Sequence, residues 1–280
     1  MSEAPHVVEG VWRAPSSTRR LFYRWWKPAT SRTALVILHG FAEHSGRYHA
    51  MANALGAHGI SVLAPDLWGH GRSDGPRGHC PDLAQLADDL DAFVSDVALA
   101  PGDQTRYALF GHSFGGLVAI GMALRQPQAL RRLVVQSPLL DVGFPVPWWT
   151  RTLGNILAAV WPTVSLPMHL DANALSHDRA IVDAYRTDPL IFGTMSAGTY
   201  RAMRRAQREA LANVRDITQP TLVLCGAADR IISVAAAQHW CEQLRCEKRS
   251  VIFPECAHEL HHESVKDEVF RVIREWVQLG

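Results

Sequence analysis

The sequence has no surplus of charge of either sign. It contains 28 basic and 27 acidic residues, a net charge of +1 in 280 residues. Such a chain has no electrostatic field that would hold a polyanion, so we expect no nucleic-acid partner. The arginines between residues 201 and 208 recur at helical spacing beside apolar residues, which is typical of a solvated helix face.

Cysteines are few. The chain has five, an odd number, and a protein of this length can bury a core large enough to fold without disulfides. Cys225 lies within an apolar, strand-like run. We therefore expect reduced thiols and a cytoplasmic location.

Long uninterrupted hydrophobic runs are also missing. No apolar core follows a basic stretch near the first residues, so we expect no signal peptide. The longest apolar segment, residues 142–160, is interrupted by two prolines, an arginine and an asparagine, which excludes a membrane span. With 48% hydrophobic and 20% charged residues, the composition fits one large α/β domain with an insertion, or two ordinary domains.

Short apolar, β-branched runs alternate with longer segments of helical period. This alternation predicts βαβ units and a mostly parallel sheet flanked by helices. After an N-terminal hairpin at residues 7–13 and 21–26, the predicted strands are 34–38, 60–64, 107–110, 133–136, 222–225 and 250–253. Apolar residues spaced three and four apart predict helices within 81–98 and 263–277.

The alternation stops between the predicted strands 133–136 and 222–225. Roughly eighty residues rich in proline, tryptophan and helical pattern intervene, with breaker residues at both limits. We interpret residues 142–215 as an inserted cap, or lid, on a core formed by residues 1–141 and 216–280.

One motif lies where a predicted strand meets a predicted helix. Gly111-His112-Ser113-Phe114-Gly115 directly follows strand 107–110 and precedes an apolar helical run. In this context G-x-S-x-G is a nucleophile elbow, whose glycines permit a sharp turn that exposes the serine hydroxyl. The pattern alone is common, so the prediction of Ser113 as nucleophile depends on the other catalytic groups.

A serine hydroxyl needs a base, and the base needs an acid that fixes its tautomer. In folds with this elbow, the acid and then the histidine follow the serine in chain order. Asp229 follows strand 222–225 and His258 follows strand 250–253, which predicts both at the sheet edge that carries Ser113. The backbone N–H groups of Phe114 and Phe41 are the predicted oxyanion donors.

Several motifs together resemble one family. The most specific is Leu38-His39-Gly40-Phe41-Ala42-Glu43-His44-Ser45-Gly46-Arg47-Tyr48, and the loop 66–75, the elbow 111–116, Asp188-Pro189-Leu190 and Ala257-His258-Glu259 accompany it. Over residues 34–277 the chain resembles the monoacylglycerol lipase and lysophospholipase-like branch of the α/β-hydrolase superfamily. The resemblance implies the α/β-hydrolase fold, the triad Ser113, Asp229 and His258, and oxyanion amides at Phe41 and Phe114. Phe41 is larger than the residue expected at that position, which bears on the fit of the acyl chain.

The resemblance also implies that the cap roofs the site and admits a lipid chain. Its apolar side chains either surround the entrance, where they make transient contact with a membrane or micelle, or pack the cap on the core. Both remain open for the tryptophans, whereas packing is expected for the leucines and the isoleucine. These residues are Phe144, Val146, Trp148, Trp149, Leu153, Ile156, Leu157 and Trp161.

Four residues are candidates for substrate binding. Glu43, Arg47 and Tyr185 are candidates to contact the alcohol part of a substrate, and Trp149 to contact the lipid. A salt bridge between Glu43 and Arg47 that holds their loop is the interpretation we favour for that pair.

A second motif offers a competing chemistry. His258-Glu259-Leu260-His261-His262 matches H-E-x-x-H, which on a helix places two histidines on one face to bind zinc. Pro254 lies where that helix would have to extend, so we expect no metal site. We expect His261 and His262 on the surface of the first turn of the last helix.

The predicted function is a serine carboxylester hydrolase. It would cleave monoacylglycerols, or similar single-chain lipids or small esters, to fatty acid and alcohol through an acyl-Ser113 intermediate, without a metal or organic cofactor. An acyltransferase or a perhydrolase on the same triad is an alternative. A binding protein on an inactive hydrolase scaffold is disfavoured, because the Ser, Asp and His set is complete.

Overall fold

A central sheet and its flanking helices account for most of the chain. The computed structural model describes residues 4–15, 18–31, 33–98, 106–125, 128–145, 147–168 and 170–279. The strands in these residues are β1 (His6–Arg13), β2 (Arg20–Lys27), β3 (Thr33–Leu38), β4 (Ile60–Pro65), β5 (Tyr107–His112), β6 (Leu130–Gln136), β7 (Ser165–Pro167), β8 (Thr194–Ser196), β9 (Thr221–Gly226) and β10 (Lys248–Phe253). The α-helices are α1 (His49–Gly56), α2 (Leu83–Val97), α3 (Phe114–Leu124), α4 (Trp148–Val160), α5 (Arg179–Thr187), α6 (Ala197–Ala212), α7 (Val234–Gln243) and α8 (Lys266–Gln278).

Eight strands form the central sheet in the order β1-β2-β4-β3-β5-β6-β9-β10. The β1–β2 hairpin is antiparallel and joins β4 in antiparallel register. From β4 to β10 every pairing is parallel. The carboxyl ends of these strands therefore meet at one edge of the sheet, where loops gather to form a site. The predicted α/β class is confirmed.

The middle of the sheet is buried on both faces. Every residue of β5 and of β9 is buried, as expected for strands that helices cover on both sides. Side chains of α2 and α3 fill the core on one face, and side chains of α1 and α8 fill it on the other. This packing holds the strand ends in place, so that the loops start from fixed positions.

Both helices predicted from apolar spacing are present. The Asp82 side chain accepts the N–H groups of Ala84 and Gln85 and caps α2, which fixes its start at Leu83. α8 begins at Lys266, later than the predicted residue 263, because residues 260–262 form a separate 3₁₀ turn.

The insertion between β6 and β9 contains α4, α5, α6 and the two-stranded antiparallel pair of β7 and β8. Ala202 and Met203 of α6 belong to the core cluster that also contains Leu117 of α3, so α6 is packed on the core. The division into a cap at 142–215 and a core stays a prediction. Across the described ranges, no helix combines the length and the apolar character needed to cross a bilayer.

Candidate active site

Ser113 lies in the turn between β5 and α3. Its φ of +52° and ψ of −113° are a strained conformation for a residue with a side chain. Backbone hydrogen bonds hold it: Ser113 N donates to Gln136 O at 3.0 Å, and Ser113 O accepts from Leu117 N and Leu139 N. A side chain on Gly115 would collide with the carbonyls of Leu38 and His39, at the end of β3. The chain therefore makes the sharp turn that the motif predicts.

His258 and Asp229 form a buried pair. His258 Nδ1 lies 2.7 Å from Asp229 Oδ2, with both side chains almost fully buried. Asp229 Oδ1 accepts the N–H groups of Ile231 and Ile232 at 2.8 and 3.1 Å. Burial raises the pKa of the Asp229 carboxyl, but His258 and these two amides outweigh burial and hold the pKa below its ordinary value. The ionised carboxylate orients the imidazole with its proton on Nδ1, which leaves Nε2 as the basic nitrogen.

The loops after four strands bring these groups to the same sheet edge. The ring centroids of His258 and of His112, the neighbour of Ser113, lie 4.6 Å apart. Ser137 Oγ, after β6, donates to His258 O at 3.0 Å. Gly226 ends β9, and a side chain there would strike the carbonyls of residues 256 and 257. The glycine thus permits the His258 loop to cross closely over the end of β9.

The two predicted oxyanion residues are neighbours. Phe114 is the first residue of α3, so its N–H has no acceptor within the helix and lies at the positive end of the helix dipole. Phe41 follows β3, and within the described chain its N–H donates no backbone hydrogen bond. The two phenyl rings pack edge to face with centroids 5.5 Å apart, which links the loop after β3 to the elbow.

The Phe41 ring is surrounded by aromatic side chains. Besides Phe114, it contacts His70 at 5.2 Å and Phe192 at 5.7 Å between ring centroids. His70 Nδ1 donates to Trp68 O, and burial lowers the pKa of His70 to about 3, so the ring is neutral at physiological pH. These contacts explain how a large residue is accommodated in the loop after β3. We did not predict them, because Phe192 is 151 positions away and carries no motif.

Glu43 and Arg47 form the salt bridge that we favoured, with Arg47 Nη1 2.8 Å from Glu43 Oε2. Glu43 Oε1 accepts the N–H of Gly40 at 2.5 Å and the hydroxyl of Tyr48 at 2.8 Å. Burial raises the pKa of the Glu43 carboxyl, but the Arg47 charge brings it below its ordinary value. The carboxylate is therefore ionised and fully engaged in holding its own loop.

Glu259 joins this pair, a contact that the sequence does not predict. Its two carboxylate oxygens accept from Arg47 Nη1 at 2.6 Å and Nη2 at 2.7 Å, and His262 Nδ1 lies 2.7 Å from Oε2. Burial raises the pKa of Glu259, yet Arg47 and His262 hold it well below its ordinary value. In the sequence Glu259 belongs to Ala257-His258-Glu259 and to the H-E-x-x-H pattern, and neither indicates a contact with Arg47.

The segment with the H-E-x-x-H pattern is not an α-helix. Residues 260–262 form a 3₁₀ turn, and His258 and His262 bind different partners, Asp229 and Glu259. Glu259, His261 and His262 offer atoms within 4.8 Å of one another. However, the Arg47 guanidinium occupies both oxygens of Glu259, so this group does not fit a second cation.

The predicted surface position of His261 and His262 is wrong. His261 is 1% exposed, and its ring stacks on Tyr48 with centroids 4.7 Å apart. His262 is largely buried between Glu259 and the Arg47 carbonyl. The 3₁₀ turn, which replaces the expected first turn of α8, directs both rings inward.

Comparison with known proteins shows the family of this chain. The family described as serine aminopeptidase, S33 (Hydrolase_4) matches residues 29–265. The chain belongs to this family of serine hydrolases. It is 32% identical over 261 residues to the monoacylglycerol lipase of Mycolicibacterium smegmatis, covering 92% of each chain. It is 31% identical over 294 residues to the monoglyceride lipase of Homo sapiens, covering 98% of this chain and 90% of the human one.

A solved structure of similar sequence shows the same fold. The crystal structure of Paleococcus ferrophilus monoacylglycerol lipase has a TM-score of 0.81 and 30% identity, and covers 92% of this chain and 98% of that one. The predicted α/β-hydrolase fold and the predicted enzyme class, a serine hydrolase, are confirmed.

The insertion of this serine hydrolase exposes apolar side chains. α4 packs on α6 through small residues: Gly154 lies against the Tyr200 ring, and Ala158 is buried. All large apolar residues of α4 except Leu157 are exposed instead, with Trp148 77% exposed. The exposed large apolar residues of α4 and its flanking residues are Phe144, Trp148, Trp149, Leu153, Ile156, Val160 and Trp161. The prediction that Leu153 and Ile156 pack inward is wrong, Leu157 is half-buried, and Val146 lies outside the described residues.

Tyr185, on α5, is half-buried beneath Arg47, whose guanidinium carbon lies 5.0 Å from the ring centroid. Both residues line a cavity of about 340 Å³ that also reaches His261 and His262. The structure thus places Tyr185, Arg47 and Glu43 in one region. Trp149 lies apart from them, on the exposed face of α4.

Proposed function

We propose that the protein hydrolyses monoacylglycerols to fatty acid and glycerol through an acyl-enzyme on Ser113. The observation that carries the proposal is the buried His258–Asp229 pair at 2.7 Å beside a strained serine in the elbow. The similarity to proteins named monoacylglycerol lipase supports the choice of substrate. Similar single-chain lipids and small esters would react by the same steps.

In the first half of the reaction, Ser113 Oγ attacks the acyl carbon and passes its proton to His258 Nε2. The N–H groups of Phe41 and Phe114 donate to the oxyanion of the tetrahedral intermediate. His258 then gives the proton to the leaving glycerol oxygen, and the carbonyl re-forms as the acyl-Ser113 ester.

In the second half, His258 takes a proton from water, whose oxygen attacks the acyl carbon. Collapse of the second intermediate returns the proton to Ser113 Oγ and releases the fatty acid. The lowered pKa of Asp229 suits it to this cycle, because an ionised carboxylate stabilises the imidazolium in both halves. No step requires a metal or an organic cofactor.

For the substrate-binding residues, we propose different roles. Tyr185 lines a cavity beside Arg47, and its hydroxyl is the group that would meet the alcohol part of the substrate. The Arg47 guanidinium is bound by Glu43 and Glu259, so its role is to hold these two residues. Glu43 has its oxygens engaged by Gly40, Tyr48 and Arg47, so its role is to support the loop. Trp149 would contact lipid.

The apolar face of α4 supports membrane contact through the cap, residues 142–215. A helix that packs by its small residues and exposes its tryptophans has the surface expected of an enzyme that takes its substrate from a bilayer or micelle. We propose that this contact is transient and that the enzyme is cytoplasmic and peripheral to the membrane. The net charge of +1 gives no support for a nucleic-acid partner.

The test is a substrate panel on the purified protein. The panel compares 1-monoacylglycerols of increasing chain length with p-nitrophenyl esters, a lysophospholipid and a triacylglycerol. Monoacylglycerols should react best, Ser113→Ala should abolish the activity, and the exposed Ser95→Ala on α2 should not change it. Preferential turnover of the lysophospholipid, or activity that survives Ser113→Ala or is lost with EDTA, would contradict the proposal. Product transfer to an added alcohol in preference to water would indicate an acyltransferase.

A further inference from the structure

Glu259 is a buried charge that none of the reaction steps uses. It directly follows His258 and is 2% exposed. Both of its oxygens are bound by the two terminal nitrogens of Arg47, at 2.6 and 2.7 Å. A two-bond fork between a guanidinium and a carboxylate fixes direction as well as distance, so the position of the Glu259 side chain follows that of Arg47.

Arg47 also contacts the loop after β3 that contains Gly40, Phe41 and Glu43, which we call the oxyanion loop. Arg47 Nη1 also donates to Glu43 Oε2 at 2.8 Å, and Glu43 Oε1 accepts the N–H of Gly40 at 2.5 Å. Gly40 immediately precedes Phe41. A continuous series of hydrogen bonds therefore runs from the residue after His258 to the residue before Phe41.

A second connection runs beside the first. His262 Nε2 donates to the Arg47 carbonyl at 3.0 Å, while His262 Nδ1 lies 2.7 Å from Glu259 Oε2. In addition, the Glu259 N–H donates to Leu175 O in the insertion at 2.8 Å. Glu259 is thus held through both its side chain and its backbone.

The sheet alone does not join these two loops. The oxyanion loop follows β3 and the His258 loop follows β10, and three strands, β5, β6 and β9, lie between them in the sheet. The two loops therefore start from distant positions, and their separation depends on contacts made above the sheet edge. The Glu43–Arg47–Glu259 series is such a contact, and it is buried.

We propose that Glu259 is a positioning residue. Through Arg47 it holds the His258 loop and the oxyanion loop at the separation that the reaction requires. The proposal rests on the proposed roles of His258 and Phe41. Because a displacement of about 1 Å between reacting groups costs on the order of 100-fold in rate, loosening this connection should appear in kcat.

The test uses Glu259→Gln, which keeps the shape but places an NH₂ group against the Arg47 N–H groups. We compare kcat and KM on a monoacylglycerol and on a short-chain p-nitrophenyl ester, whose leaving group is not glycerol. We expect kcat to fall about 10- to 100-fold on both substrates, with KM within about threefold. The control is Glu268→Gln, which removes an exposed carboxylate paired with Arg271 on α8 and should leave both constants unchanged.

A loss of kcat confined to the monoacylglycerol would overturn the proposal, because Glu259 and Arg47 would then act on the alcohol. An unchanged kcat on both substrates would also overturn it. If the wild type cleaves the p-nitrophenyl ester but no monoacylglycerol, the proposed substrate fails, and the comparison of kcat on the ester still decides the role of Glu259.

Two further single variants and their combination cover the case in which Glu259→Gln does not fold. Glu259→Asp keeps the charge but has a shorter side chain, so we expect a smaller fall in kcat on both substrates. An unchanged kcat would overturn the proposal. Arg47→Gln removes the same connection from its centre. The double variant Arg47→Gln with Glu259→Asp should lose no more kcat than Arg47→Gln alone, since both changes break one series of contacts. If the kcat losses of the two single variants multiply in the double variant, the proposal is overturned.

Discussion

Asp229→Asn tests the proposed triad most directly, because the structure dictates how the new amide must lie. Asp229 Oδ1 accepts two backbone N–H groups, from Ile231 and Ile232. In the variant, the amide oxygen must keep that position, since an NH₂ there would face two donors. The NH₂ group is thereby placed 2.7 Å from His258 Nδ1, where the carboxylate oxygen was.

An NH₂ donor facing Nδ1 reverses the tautomer of His258. The proton moves to Nε2, and the imidazole can no longer accept the proton of Ser113. In a serine protease triad, the same Asp-to-Asn change lowers kcat by about 10⁴-fold, which corresponds to about 5.4 kcal/mol in the activation free energy. We expect a loss of that order here.

The assay is kcat on a p-nitrophenyl ester near neutral pH. The matched control is Asp267→Asn, which neutralises an exposed carboxylate in the first turn of α8 and should leave kcat unchanged. If Asp229→Asn is folded, as judged by its Tm and circular dichroism, and keeps kcat within about tenfold of the wild type, Asp229 does not set the tautomer of the catalytic base and the assignment fails.

Three further predictions concern the cap, the aromatic cluster and acid stability. Replacing Trp148 and Trp149 with serine should weaken binding to phospholipid vesicles at least about tenfold in a sedimentation assay, with kcat on a soluble ester within about twofold; unchanged vesicle binding would remove the lipid role of α4. Phe41→Leu keeps the backbone N–H but loses three ring contacts, so the free energy of unfolding, measured with denaturant, should fall by about 1–3 kcal/mol. An unaltered denaturation midpoint would contradict this. Because the folded-state pKa of Glu259 is lowered, its stabilisation is present above the unfolded pKa of about 4.3 and is lost as the pH falls below it. The Tm difference between wild type and Glu259→Gln should therefore be smaller at pH 3 than at pH 7, and an equal Tm difference at the two pH values would refute this prediction.

The parts of the site that could be predicted follow from rules that link chain order to sheet position. Ser113 comes directly after a recognisable strand, and Asp229 and His258 lie in the loops that follow β9 and β10. Parallel strands place their carboxyl ends at one edge of the sheet. The positions of these residues therefore needed no knowledge of side-chain packing. The glycines at 111 and 115 gave a local signal for the turn, because a side chain at either would strike neighbouring backbone.

The Arg47–Glu259 fork could not be predicted in this way. Its partners are 212 positions apart, and a buried ion pair leaves no periodic trace in the sequence. His261 illustrates a related difficulty. Apolar spacing correctly predicted α8, but it did not show that the chain first makes a 3₁₀ turn, and one turn of a different type decides whether a side chain faces water or the core.

The packing of α4 likewise could not be predicted from apolar spacing. The observed packing supports the proposed lipid contact of this helix. Large apolar residues on a helix predict a buried face, since burial of such side chains is the usual source of helix stability in proteins. In α4, Gly154 lies against Tyr200 of α6 and the small residue Ala158 is buried, whereas Trp148, Trp149, Leu153 and Ile156 are exposed. Because α4 already packs on α6, the core does not account for Leu153, Ile156 and the tryptophans, and their exposure supports the proposed contact with a lipid surface.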